Sequence, residues 1–261
     1  MLLPVLIGDF MYSSDEINAC MTEEELFKLW KTKDVYNAEY YEGNKKIEFT
    51  INHKNVFIAD GIINPEIWNN RSKGKHILFV LKEAYGGEND WSLADEVRVH
   101  APWSAIWHRI VEWTYGLTNT TVERIARYEP GKISFEKPNQ WLNEIAVLNI
   151  KKSGGDSQSH YGEISAYADY DSKEIIRQIE IINPDIIICG ATFGDINRIM
   201  GNPCKKGECD NWFYYSDAIG KRERLFIDYY HPANRYPALL NYYGIVNIYQ
   251  QALISRNNIL S

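Results

Sequence analysis

Cysteine, basic excess and long apolar runs are all scarce in this chain. Its 261 residues hold four cysteines, and 28 Lys+Arg stand against 35 Asp+Glu for a net charge of −7. Four thiols in a chain of this length exclude a disulfide-stapled scaffold, and the lack of any C-x-x-C pair leaves zinc and iron–sulfur sites without their usual signal. Cys204 and Cys209 are close in a glycine-containing loop, but the expectation is a cytoplasmic protein with free thiols and no bound metal. An acidic balance argues against a surface that embraces DNA throughout, because phosphate neutralisation needs a basic face. The apolar start, Met1 to Phe10, is interrupted by Pro4, Gly8 and Asp9 and has no basic residue before it, so neither a secretory signal nor a membrane span is expected. Internal repeats, a G-x-S-x-G elbow, a P-loop lysine and a G-x-G-x-x-G turn are also missing. Their absence disfavours a hydrolase built on Ser153, Asp156, His160 or His231, and a nucleotide-phosphate site at Gly190–Gly194.

What is present is a large apolar fraction, 45% with 13% aromatic, enough to fill a core. Thr22 and Glu25 form a capping box ahead of a helix to Asp34, and Lys46–Asn52 alternates as a strand turning through Asn52–Asn55 into Val56–Ala59. Four mainly apolar runs follow, at Lys75–Leu81, Glu144–Asn149, Asp185–Gly190 and Arg224–Tyr229, the first of them uninterrupted, as expected of buried strands. Helices fall between them: Trp103–Thr114, Ser172–Ile182, Thr192–Met200 and Ala238–Leu253. The pattern predicts one α/β domain over residues 1–261, a three-layer sandwich around a central, mostly parallel four-stranded sheet. Residues 1–71 form a hairpin and helix extension packed on it, in which Tyr12, Trp30 and Trp68 serve as a cap over the core.

In open α/β sheets ligands bind at the carboxyl ends of the strands. There the sequence places Lys82-Glu83, Asn149 with Lys151-Lys152, Gly190 and His231-Pro232. A carboxylate can deprotonate or orient water, an amide can read a polar edge with paired donor and acceptor, and a histidine can stabilise developing negative charge.

These segments resemble the uracil-DNA glycosylase superfamily. Leu81-Lys82-Glu83-Ala84-Tyr85-Gly86-Gly87 stands where that family has a loop of the type Gly-Gln-Asp-Pro-Tyr-His-Gly, Val147-Leu148-Asn149 is similar to its uracil-reading strand, and His231-Pro232-Ala233-Asn234 to its His-Pro-Ser-Pro motif. The resemblance covers roughly Lys75 to Leu253. It implies a glycosylase that hydrolyses the N-glycosidic bond of uracil or a related damaged base in DNA, with Glu83 and His231 catalytic and no cofactor. It further implies that Asn149 and Lys82 bind the substrate, that Tyr85 walls the pocket, that Trp91 or Tyr85 stacks on the base, and that Asn234, Arg235 or Tyr236 wedges the duplex. Phosphate contacts would come from Lys151, Lys152 and Arg235, joined by Lys205-Lys206 and Lys221-Arg222 with Arg224 if these share one rim. Leu81 and Ala84 replace the motif's Gly and Pro, and that change favours the alternative, a monomeric nucleobase or nucleic-acid binder on the same fold without catalysis.

Overall fold

The four apolar runs form neighbouring strands of one sheet, and the polar residues that follow two of them extend those strands. The computed structural model describes residues 12–70, 75–100, 104–129, 131, 133, 138–156, 158–205 and 212–260. The chain opens with α1 (Ser14–Ala19) and α2 (Glu23–Trp30). Thr22 accepts from the Glu25 amide while the Glu25 carboxylate returns to the Thr22 amide, the expected capping box. A hairpin of β1 (Tyr36–Glu42) and β2 (Lys45–Ile51) follows, then β3 (Ile58–Ala59), β4 (Gly61–Ile62) and α3 (Pro65–Asn70). The hairpin corrects the expected partner of Lys46–Asn52: it pairs backward with Tyr36–Glu42, around Gly43 at φ +58°, and not forward with Val56–Ala59.

Next come β5 (Ile77–Tyr85), β6 (Trp91–Ser92), α4 (Leu93–His100), α5 (Ala105–Asn119), α6 (Pro138–Leu142) and β7 (Ile145–Gly155). The remainder is α7 (Tyr161–Tyr170), α8 (Ser172–Ile182), β8 (Ile186–Gly190), α9 (Phe193–Ile199), β9 (Phe213–Ser216), β10 (Arg224–Tyr229) and α10 (Ala238–Leu260).

The main sheet is six-stranded and mixed, in the order β4-β7-β5-β8-β10-β9. This corrects the expectation of four strands: β7, β5, β8 and β10 run parallel, and short β4 and β9 add antiparallel edges. Side chains alternate between the faces of β5, as a strand requires. Ile77, Phe79 and Leu81 pack under α4, α5 and α10, while Leu78 and Val80 face α1, α2 and α8. Gly116 of α5 lets α10 approach closely, since a Cβ there would lie 2.4 Å from Val246 Cγ1. Tyr12, Trp30 and Trp68 are all buried in the second of these layers, as a cap. No described helix is long and apolar enough to cross a membrane.

The second layer also holds charge. Lys33, almost fully buried, donates to Asp171 (3.1 Å), Glu174 (2.8 Å) and the Tyr170 carbonyl (2.5 Å). His53 Nε2 meets Asp171 at 3.0 Å, and the Tyr12 hydroxyl donates to Glu174 at 2.8 Å. One ammonium thus serves two buried carboxylates, so removing it leaves Asp171 to His53 and Glu174 to the Tyr12 hydroxyl in low dielectric. Replacing Lys33 by Met is expected to lower unfolding stability by about 3–5 kcal/mol. Urea titration checks this, and a change of under about 1 kcal/mol would show that the network contributes nothing.

Candidate active site at the carboxyl edge of the sheet

β5 and β7 carry the polar residues into the ladder, Leu81 opposite Asn149 and Glu83 opposite Lys151, with a bulge between Glu83 and Tyr85. Gly155 makes room for this pairing, because a Cβ there would fall 2.5 Å from the Glu83 side chain. Glu83 Oε2 lies 3.1 Å from Lys151 Nζ, and Lys151 donates to Glu163 of α7 at 2.7 Å. Burial pulls the Lys151 ammonium down, but the two carboxylates outweigh it and hold its pKa above the ordinary lysine value. Glu83 is 6% exposed, and its other oxygen, Oε1, is buried without a partner. The carboxylate expected to face water is therefore turned into an ion pair.

Asn149 is 2% exposed; its backbone amide donates to Asp60 Oδ2 at 2.7 Å, while its side-chain nitrogen has no partner. A buried amide of this kind is ordinarily satisfied, so this nitrogen is left with an unused donor.

His231 follows β10. The Ala233 amide donates to its Nδ1 at 3.2 Å, which leaves the proton on Nε2 and makes that nitrogen the outward donor. Burial, aided by the positive charge of Lys82, pushes its pKa down to about 4, so the ring is neutral at physiological pH. Gly190 seats this turn: a Cβ there would lie 2.8 Å from Leu81 Cδ2 and 3.3 Å from Pro232 Cδ. Arg109 of α5 clamps it by donating to the carbonyls of Pro232 (2.7 Å), Asn234 (2.5 Å) and Tyr236 (3.3 Å). No motif announced Arg109, whose targets are more than a hundred residues away.

The other expected site residues divide. Lys82 lies 5.1 Å above the ring of Tyr161, whose hydroxyl donates to the Ala191 carbonyl at 2.9 Å. Tyr85 is 76% exposed. Trp91 is half-buried and donates to the Gly86 carbonyl at 3.4 Å, which fixes the turn after β5. Asn234 spends its amide inside its own loop, on the His231 carbonyl, the Tyr236 amide and Asn241. Its side chain thus helps to hold the turn after His231.

Two of the expected phosphate contacts need correction. Lys152 is fully buried against Asp60 at 2.5 Å, and Lys151 is buried between two carboxylates, so neither reaches a backbone phosphate. Arg235 alone of the three is exposed. Arg222 and Arg224 sit at the amino end of β10, where they hold Asp185, Asn183 and Ile219, so no common rim with Arg235 forms. Lys206 lies outside the described residues.

The serine-hydrolase arrangement is not assembled, since His160 pairs with Glu42 and Ser153 with the Tyr167 hydroxyl. Among the described residues no group of three or more His, Cys, Asp or Glu is placed to hold a metal. Cys20 and Cys189 are free and buried, whereas Cys204 is disulfide-bonded, which corrects the free-thiol expectation for that residue; Cys209 lies outside the described residues. A depression between α1 and α8, lined in part by Ser14, Asn18, Lys173 and Glu180, is remote from the strand ends.

Sequence reading also missed Asp228. It occupies β10 opposite Cys189, and no hydrogen bond or ion pair among the described residues engages its carboxylate. Burial alone raises its pKa above the ordinary aspartate value.

The His231 shift has a definite sign. Its folded pKa lies below the ordinary 6.5, so the stabilisation is complete above about pH 6.5 and is lost as pH falls through about 4. His231→Asn is expected to flatten the stability profile in that window, and the wild-type imidazole proton resonance should titrate near pH 4. A midpoint near 6.5 would overturn the buried, neutral assignment. No protein-family model matches the chain, and no curated protein matches it in sequence.

Proposed function

We propose that the carboxyl edge receives a nucleobase flipped from DNA and hydrolyses its N-glycosidic bond, the activity implied by the resemblance to uracil-DNA glycosylases. The observation that supports the reading is that two donors are unspent: the buried Asn149 side-chain nitrogen on β7, without a partner, and the Nε2–H of a neutral His231 beyond the end of β10. A pyrimidine edge offers carbonyl oxygens that such donors can satisfy. The base must leave the stack, because its sugar carbon is out of reach inside a duplex. As the bond breaks, the base oxygen gains negative charge, and a neutral donor held in place by Ala233, Pro232 and Arg109 stabilises it without reorganising. Tyr85 is solvent-exposed and can stack on a neighbouring base, and Arg235 and Lys82 can meet phosphate. With a net charge of −7, DNA binding is expected to be weak and brief.

One observation favours the second reading, a binder without catalysis: Glu83, the expected water-activating acid, is sequestered by Lys151. Incubation with an end-labelled uracil oligonucleotide, followed by alkali, separates the two. Alkali-labile sites are expected, and His231→Ala should reduce their rate by about 10²-fold or more. Retained binding with no abasic product across several damaged bases would reject hydrolysis and leave the binder.

A further inference from the structure

We propose that the exposed rings of Trp212, Tyr230 and Tyr236, with Arg235, form a stacking surface for single-stranded DNA beside His231. The inference rests on the reading of this edge as a nucleic-acid site, and it holds whether or not that site hydrolyses a bond. The three rings are 39, 37 and 54% exposed and form one cluster. Trp212 and Tyr230 lie 5.3 Å apart between ring centroids, and Tyr230 and Tyr236 lie 5.0 Å apart. Tyr230 and Tyr236 flank the His231 turn in sequence, while Trp212 directly precedes β9 at the edge of the sheet. The neighbouring rings meet at 60° and 54°, so none lies flat on the next. Large aromatics grouped in the open, rather than scattered singly, mark an interaction surface.

The cluster is built on fixed parts. Tyr229, 5.2 Å from Tyr230 and 6.1 Å from Trp212, is buried, donates its hydroxyl to the Asn241 carbonyl at 2.8 Å and meets Trp113 of the core edge-on. Tyr236 is pinned through its backbone: its amide donates to Asn234 Oδ1 at 3.0 Å, and its carbonyl accepts from Asn241 Nδ2 at 3.0 Å. Trp212 holds φ at +65°, a costly conformation for a bulky side chain, and its carbonyl accepts from the Asp228 amide at 3.0 Å, which ties this turn to β10. Rings held in this way lose little freedom when a ligand settles on them.

Charge selects the occupant. No Asp or Glu follows Asp228, so the segment that carries Tyr230, Arg235 and Tyr236 runs to Ser261 without an acidic side chain, in a chain that holds 35 of them. Arg235 is exposed and directly precedes Tyr236. Aromatic faces beside a cation complement a strand whose bases are flat and whose backbone is anionic, and they do so without reading sequence. In a duplex each base is covered by its stacked neighbours and its partner strand, so the unpaired form is the one that can settle on the rings. Leu239 and Leu240, also exposed, continue from Tyr236 into α10 and would serve a protein partner equally well, which the test separates.

Fluorescence anisotropy of an end-labelled oligothymidylate, which contains no uracil, titrated with the full chain at low salt tests this. Binding is expected, and the same strand paired with oligodeoxyadenylate should bind at least about tenfold more weakly. Tyr236→Ala and Trp212→Ala should each weaken single-strand binding by about tenfold, and Tyr236→Phe, which returns the ring, should restore it. Arg235→Ala should reduce the slope of log affinity against log salt by about 0.7. Melting temperatures report whether each variant folds; should Trp212→Ala not fold, the Tyr236 pair, at the most exposed of the three rings, decides. The proposal is overturned if single strand and duplex bind alike, if Tyr236→Ala binds as tightly as the wild type, or if no strand binds at low salt. Sedimentation of a self-associated chain that Leu240→Glu returns to single copies, with no oligonucleotide bound, would overturn it in favour of a contact between copies. A chain that holds the strand through these rings but frees no base from a uracil oligonucleotide defeats hydrolysis alone. One that frees base while Tyr236→Ala leaves strand binding unchanged defeats this surface alone.

Discussion

The ion pair between Lys152 and Asp60 holds the N-terminal segment to the strand that carries Asn149, and much of the molecule is arranged around keeping it satisfied. At 2.5 Å and out of water, neither charge tolerates the loss of the other. Gln178 of α8 donates to Asp60 and also to Glu23, each at 2.9 Å, and Glu23 accepts from the Ile62 amide. Burial, opposed by these donors, raises Glu23 to about 7, while burial pulls the Lys152 ammonium down against the charge of Asp60. Asp60 also accepts from the Asn149 amide, so the pair that anchors the extension fixes the backbone of a site residue. The N-terminal segment is thereby part of the site's support.

At the opposite side of the same strand end the charges are disposed differently. Lys151 is neutralised by Glu83 and Glu163, and His231 is kept uncharged, with Lys82 as the nearby cation. For the hydrolysis proposed above, neutral and fixed donors would suit a leaving group that becomes anionic only as it departs, because they bind the uncharged ground state less strongly than the transition state. An edge lined with free lysines would instead hold phosphate in both states.

The apolar runs were readable because burial on both faces leaves a continuous hydrophobic signature, and Ile77–Leu81, Ile145–Asn149, Ile186–Gly190 and Arg224–Tyr229 all occur as strand. The extensions through Lys82–Tyr85 and Ile150–Gly155 were not readable. Their polar side chains are tolerated in a strand only because partners come from elsewhere, as Asp60 reaches Lys152 from 92 residues away. The edge strands β4 and β9 are too short to show a period. For the hairpin, Asn52–Asn55 has turn composition, yet Gly43 holds the left-handed conformation that the actual turn uses. In the site, sequence expects Glu83, Asn149 and His231 at strand ends, but the ladder continues past Asn149 and through Glu83, and only His231 lies beyond its strand; that Glu83 is locked depends on Lys151 and Gly155. Asp228 was hidden because it reads as one polar residue inside an apolar run.

β7 assigns four consecutive positions to different surroundings. Asn149 leaves a free amide, Ile150 fills the core, Lys151 answers Glu83, and Lys152 answers Asp60. In a strand, sliding by one residue turns every side chain to the other face. Substitutions in this stretch therefore disturb one partnership at a time, whereas a single-residue insertion or deletion would exchange the two lysines' environments and break all of them at once. The spacing from Asn149 to Lys152 is a ruler, and its length is under tighter constraint than any one of the side chains it positions.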